Sequence, residues 1–175
     1  MKSIIYVFII AIGFVGFNHQ VVAQSVQKSP KAVITQRVGL TDITITYHRP
    51  GLKGRSMASL APNGAVWRTG ANNATAFLTS NAITIGGKDL PAGNYSLWTI
   101  PAAGEWTIII NKNWDQHLAD KYDESEDILR LTVVPEVLQD IQESLMYEVT
   151  STEGNKGIIS MSWEKLKISF EIEVI

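Results

Sequence analysis

The chain has no cysteine among its 175 residues. That absence excludes a disulfide framework, and with it the lipid-bearing cysteine that tethers many exported bacterial proteins. An excess of basic charge is missing as well, since 15 lysines and arginines face 17 acidic residues. A weakly acidic balance without a basic cluster argues against nucleic acid or an anionic membrane as the partner. Histidine is sparse, with three residues. A Ser-His-acid triad and metal pairs such as H-x-H or H-E-x-x-H therefore have little to draw on, and no G-x-S-x-G elbow accompanies them. No cofactor motif and no metal motif is present.

Long apolar runs are lacking except at the start. Ile4–Phe17 follows Lys2 and precedes Val21-Val22-Ala23, a pattern that signal peptidase accepts. Its fourteen residues fall short of the roughly 20 that span a bilayer. Residues 1–23 are thus expected to be a signal peptide cleaved near Ala23, leaving a soluble periplasmic or secreted chain with no membrane anchor. Removal of Lys2 takes the basic residues from 15 to 14 against 17 acidic ones, a net of −3. Residues 24–175 then suit one domain with a sizeable core.

What is present repeats with a period of two. In Thr41–His48, Ile43, Ile45 and Tyr47 alternate with Thr44, Thr46 and His48, the pattern of a half-buried strand. "ITIGGKDL" places Gly86-Gly87 between two short strands as a two-residue hairpin, with Ile85 opposite Lys88 and Ile83 opposite Leu90. "LPAG" reads as a type I turn leading into "NYSLWTIP". "EWTIIIN" is apolar on both faces, so it is expected to lie centrally and covered. Toward the C-terminus the apolar phase inverts across Glu164-Lys165. A hairpin there would pair Trp163 with Leu166 and Met161 with Ile168, although Glu-Lys is poor chemistry for such a turn. Helix is scarce: Trp114–Tyr122, behind an Asn113 cap, is the best candidate, and Val137–Ser144 has room for a turn or two. Eight or nine short strands indicate an all-β fold, an antiparallel β-sandwich with one or two short helices, with a jelly-roll-like barrel as the alternative.

Five stretches, "YHRPGLKGR" (Tyr47–Arg55), "VWRTGANNAT" (Val66–Thr75), "LPAGNYSLWTIP" (Leu90–Pro101), "EWTIIIN" (Glu105–Asn111) and "DILRLTV" (Asp127–Val133), occur in this order. Together they resemble the DUF2911 family from about Ala32 to the C-terminus. The resemblance implies an exported protein of the kind found mostly in Bacteroidetes, and it implies no reaction. An acidic residue often stands in that family where this chain has Asn73, so a role that needs a carboxylate there is not carried over.

The polar residues offer one constellation. Arg49, Lys53 and Arg55 flank the Pro50-Gly51 turn, and Arg68, Asn72 and Asn73 follow Trp67. Guanidinium forks suit carboxylate or phosphate, amides read hydroxyls or carbonyls, and an indole plane suits a sugar ring or a peptide. Arg49, Arg55, Trp67, Arg68, Asn72 and Asn73, bordered by His48, are therefore the candidate ligand-binding residues, for a small anionic, sugar or peptide ligand. The competing reading is that the arginines only hydrogen-bond loop carbonyls. Two further alternatives stand beside a binding module: a hydrolase with His48 as general base and an arginine-stabilised oxyanion, and a purely structural or interaction domain. "DESED" (Asp123–Asp127) reads as a solvated acidic loop more readily than a calcium site. Trp98, Trp106 and Trp163 read as core and Trp114 as an exposed platform, while Arg130 is a candidate to reach the same polar cluster.

Overall fold

The strand read from Thr41–His48 buries Thr41, Ile43, Ile45 and Tyr47 and leaves Asp42, Thr44, Thr46 and His48 half-exposed, as its alternation requires. The structure, a computed structural model, describes residues 28–175; the expected signal peptide lies outside them. Among the described residues, ten strands run in chain order as β1 (Lys31–Val38), β2 (Thr41–His48), β3 (Thr75–Thr79), β4 (Ile83–Ile85), β5 (Lys88–Leu90), β6 (Gly93–Ile100), β7 (Trp106–Asn111), β8 (Asp127–Val133), β9 (Glu136–Ser151) and β10 (Lys156–Val174). They form a six-stranded antiparallel sheet in the order β1-β2-β3-β6-β7-β8 and a four-stranded one in the order β5-β4-β10-β9. A four-residue helix, α1 (Met57–Leu60), and a 3-10 turn at Glu124–Glu126 interrupt them. The fold is a β-sandwich, and no helix among the described residues is long and apolar enough to cross a membrane.

The main core lies between the sheets, where Ile43, Ile45, Phe77, Leu97, Ile108 and Ile110 meet Leu145, Ile159, Met161, Trp163 and Ile168. Tyr47 and Tyr147 cross it edge to face at 4.8 Å, and the Tyr147 backbone N–H donates to Tyr47 Oη at 3.1 Å. A second, smaller cluster of Ala74, Trp98 and Ile109 lies apart from the main core, covered in part by Ala119 and Tyr122. This explains why β7 is apolar on both faces: Ile108 and Ile110 serve one cluster and Ile109 the other. The hairpin joining β4 and β5 has the expected register, Ile83↔Leu90 and Ile85↔Lys88, with Gly86 and Gly87 both at positive φ.

Three local readings are corrected. No hairpin forms at Glu164-Lys165, because β10 runs unbroken from Lys156 to Val174. Glu164 instead sits at φ 55, between register shifts against β9, as an irregularity of the bulge kind. An extra residue in one strand flips the apolar phase as a turn would, and needs no turn residues. Trp114–Tyr122 is not helical: Leu118 lies at φ 67, and the backbone bonds sideways, Leu118 N–H to Asn72 O and Ala74 N–H to Gln116 O. Val137–Ser144 belongs to β9, paired with β10, so it holds no helical turn.

Candidate functional site

Residues Val66–Thr75 divide into a buried wedge and an exposed tip. Trp67 exchanges both backbone hydrogen bonds with Thr99, at 2.8 and 2.9 Å, and its indole stacks on Trp163 at 5.4 Å and 15°. Thr69 follows at φ 49, a strained position for a β-branched residue. Its surroundings over-determine that backbone. The Thr69 hydroxyl donates to Leu97 O at 2.6 Å, and its carbonyl accepts from Thr75 Oγ1 at 2.9 Å and from Tyr147 Oη at 3.3 Å. Burial pushes the Tyr147 phenol far above its ordinary value, so it stays a neutral donor. Gly70 is then pressed so close to β2 that a Cβ would lie 3.2 Å from His48 O and from Thr75 Oγ1.

Beyond this wedge the chain surfaces at Asn72, at φ 59, and Asn73. Asn73 bridges to His117, and Asn73 Oδ1 lies 2.7 Å from His117 Nδ1. An amide oxygen only accepts, so Nδ1–H donates and Nε2 is left for another partner. On the opposite side β1 places Lys31 directly across from His48. Lys28, Ser29, Lys31, His48, Asn72, Asn73 and His117 line an open cleft of about 550 Å³. Among the described residues, no carboxylate lines it. The His48 imidazole is held below its ordinary value by burial first, and then by the nearby Lys31 and His117.

Of the residues singled out in the sequence, His48, Asn72 and Asn73 come together in this cleft, whereas Arg49, Arg55, Trp67 and Arg68 do not line it. Trp67, at 6% exposure, is core and has no free face for a ligand. Arg49 donates from Nε to Leu145 O at 3.0 Å and from its backbone to Pro30 O. It thereby stitches the end of β2 to β9, a seam continued by Leu52 N–H to Glu143 O and Leu145 N–H to Pro50 O. Arg55 turns back on its own loop, onto Leu52 O and Gly51 O. Arg68 is half-buried, its Nε has no partner among the described residues, and burial lowers its guanidinium pKa. Arg130 does not join the cluster either, because Asp127 and Glu124 hold it at 2.7 and 3.1 Å. Asp127 also accepts from Tyr122 and Asn111, while Asp123 caps Ser125, so these oxygens of the acidic loop are engaged internally. The Tyr122 phenol is pushed up to about 12, by burial first and then by its bond to Asp127.

Arg49→Ala is expected to leave the Leu145 carbonyl without its partner and to cost about 1–3 kcal/mol in denaturant unfolding. Anion binding in the cleft should be unchanged, because Arg49 does not line it.

Lys31 and His117 were the residues that sequence reasoning missed, whereas Trp114, read as an exposed platform, is exposed in the fold. Lys31 had a signal. The β1–β2 hairpin turns at Gly39-Leu40, and counting outward from Val38↔Thr41 sets Lys31 opposite His48. His117 had none, since its irregular loop meets Asn73 only through the tertiary fold. Among known proteins, a family model described as "Protein of unknown function (DUF2911)" matches residues 29–172. No curated protein and no solved structure matches the chain.

Proposed function

The chain belongs to the DUF2911 family, whose description assigns no reaction, and from that premise we propose that it is an exported binding module whose cleft takes a small anion. The observation that carries this reading is the lining itself. Two lysines, two histidines and two asparagines line one cleft in which, among the described residues, no carboxylate takes part. Ammonium groups draw in an anion, and imidazole N–H and amide N–H groups fix its oxygens. Arg49 and Arg55 each donate to backbone carbonyls and, with Arg68, lie outside the lining of this cleft. The leader pattern in residues 1–23 supports export.

The test is the pH dependence of sulfate binding, followed by calorimetry, because sulfate keeps its charge over the range in which the second ionisation of phosphate falls. His48 is held below its ordinary value, so near neutral pH it is mostly uncharged, and an anion beside it favours its protonated form. Binding then takes up a proton, and affinity should rise as pH falls from about 7 toward 5.5. Stability without ligand should move the opposite way. The unfolded chain holds the His48 proton more tightly than the folded one, so stability declines as pH falls from about 6.5 through the depressed folded value. His48→Asn should flatten both trends, and sulfate affinity that is absent or independent of pH would remove the basis for the proposal.

One observation favours hydrolysis as a second reading: a neutral imidazole, His48, shares the cleft with His117, whose Nδ1 is fixed by Asn73. Turnover of esters or phosphoesters that His48→Asn abolishes at unchanged melting temperature would favour it over simple binding.

A further inference from the structure

The cleft continues past the histidines. Lys31, His48 and Asn73 line both this cleft and a neighbouring recess of about 190 Å³. The recess is of different character. Thr46, Ala74 and Ala76 line it with small side chains, and Thr46 and Ala76 are cross-strand partners of β2 and β3. Trp114 and Asp115 complete it. Trp114 is 44% exposed, whereas the other four tryptophans, Trp67, Trp98, Trp106 and Trp163, are buried at 6% or less. An indole left nearly half in water beside a small-walled recess presents apolar surface to solvent, and the neighbouring carboxylate only accepts hydrogen bonds when ionised.

Resting on the anion-binding reading, we infer that cleft and recess form one two-part site for a monosaccharide ring that carries a phosphate or carboxylate group. The anionic group lies among Lys31, His48 and His117, and the ring lies in the recess. Its apolar face covers the Trp114 indole and its hydroxyls donate to Asp115. The division of charge selects this class over others. A second anionic group at the recess would meet Asp115, and a purely apolar ring would leave that carboxylate desolvated without a donor. Combined, the two spaces fall within the usual size of small-ligand pockets.

Trp114 serves as its own reporter, because it is the one exposed indole of the five. Intrinsic fluorescence is titrated with glucose 6-phosphate, glucuronate, inorganic phosphate, glucose and phenyl phosphate. Glucose 6-phosphate or glucuronate should bind at least about tenfold more tightly than phosphate or glucose and shift the emission to shorter wavelength; which of the two is preferred identifies the anionic group. Trp114→Ala should abolish the shift and the tenfold gain while phosphate affinity, read by calorimetry, stays within about twofold. Trp114→Phe should recover part of the gain and Asp115→Asn should reduce it several-fold. If phosphate binds but the sugar acids bind no better, the two-part site is overturned and the anion cleft survives. Preference for phenyl phosphate overturns the sugar assignment, and failure of every probe removes the anion reading together with this inference.

Discussion

Trp67→Ala is expected to destabilise the protein by about 3–5 kcal/mol, the range for truncating a buried aromatic residue. Trp67 is buried in the main core and stacked on Trp163, so truncation removes its own burial and opens a cavity against its partner. For a domain of this size the melting temperature should fall by roughly 6–20 °C. A double-mutant cycle with Trp163→Ala should show coupling of about 0.5–1.5 kcal/mol, the usual worth of a stacked pair beyond its area. Urea unfolding of the four proteins in the cycle measures both quantities. Loss of ligand binding at unchanged stability would instead mean that the indole is a ligand platform and that the stack contributes nothing.

Gly70→Ala is expected to cost about 1–3 kcal/mol, as overpacking does, and to weaken anion binding as well. Its φ is not the constraint; space is. The new methyl would meet His48 O, a backbone atom, at 3.2 Å and Thr75 Oγ1 at the same distance. The wedge is pinned on its other sides by Leu97, Thr75 and Tyr147, so relief has to come from the strand end that carries His48. Asn72 and Asn73 follow within three residues, so the spacing across the cleft changes with it. Thermal unfolding and phosphate calorimetry on this variant should both shift. A protein of wild-type stability and affinity would show that the loop moves freely against β2.

Much of the fold was legible because a strand's burial pattern is written every second residue. Thr41–His48 and the Gly86-Gly87 hairpin kept their predicted faces and register. The C-terminal segment misled for a physical reason: a bulge and a turn both invert the apolar phase, and only the continuous pairing of β10 separates them. The loop from Trp114 to Tyr122 misled because spacing by four suggests one helical face. In the fold Tyr122 packs on Trp98 while Trp114 lines the recess.

For the candidate site, sequence determined the ingredients and tertiary structure decided their employment. An arginine beside a glycine turn can donate to whatever carbonyl lies within reach, as Arg49 and Arg55 do and Arg68 does not. For Arg49 that carbonyl belongs to Leu145, 96 positions away, a distance across which no local pattern speaks. His117 likewise finds Asn73 across 44 positions, from an irregular loop without periodicity. By itself the sequence determined the two-faced strands, the glycine hairpin and the polar tip at Asn72-Asn73, because each follows from local burial and backbone geometry. Only the packing of β2 against the wedge and of the Trp114 loop against Asn72–Ala74 decided which polar groups remain open to solvent, since hydrogen bonding is settled by proximity in space.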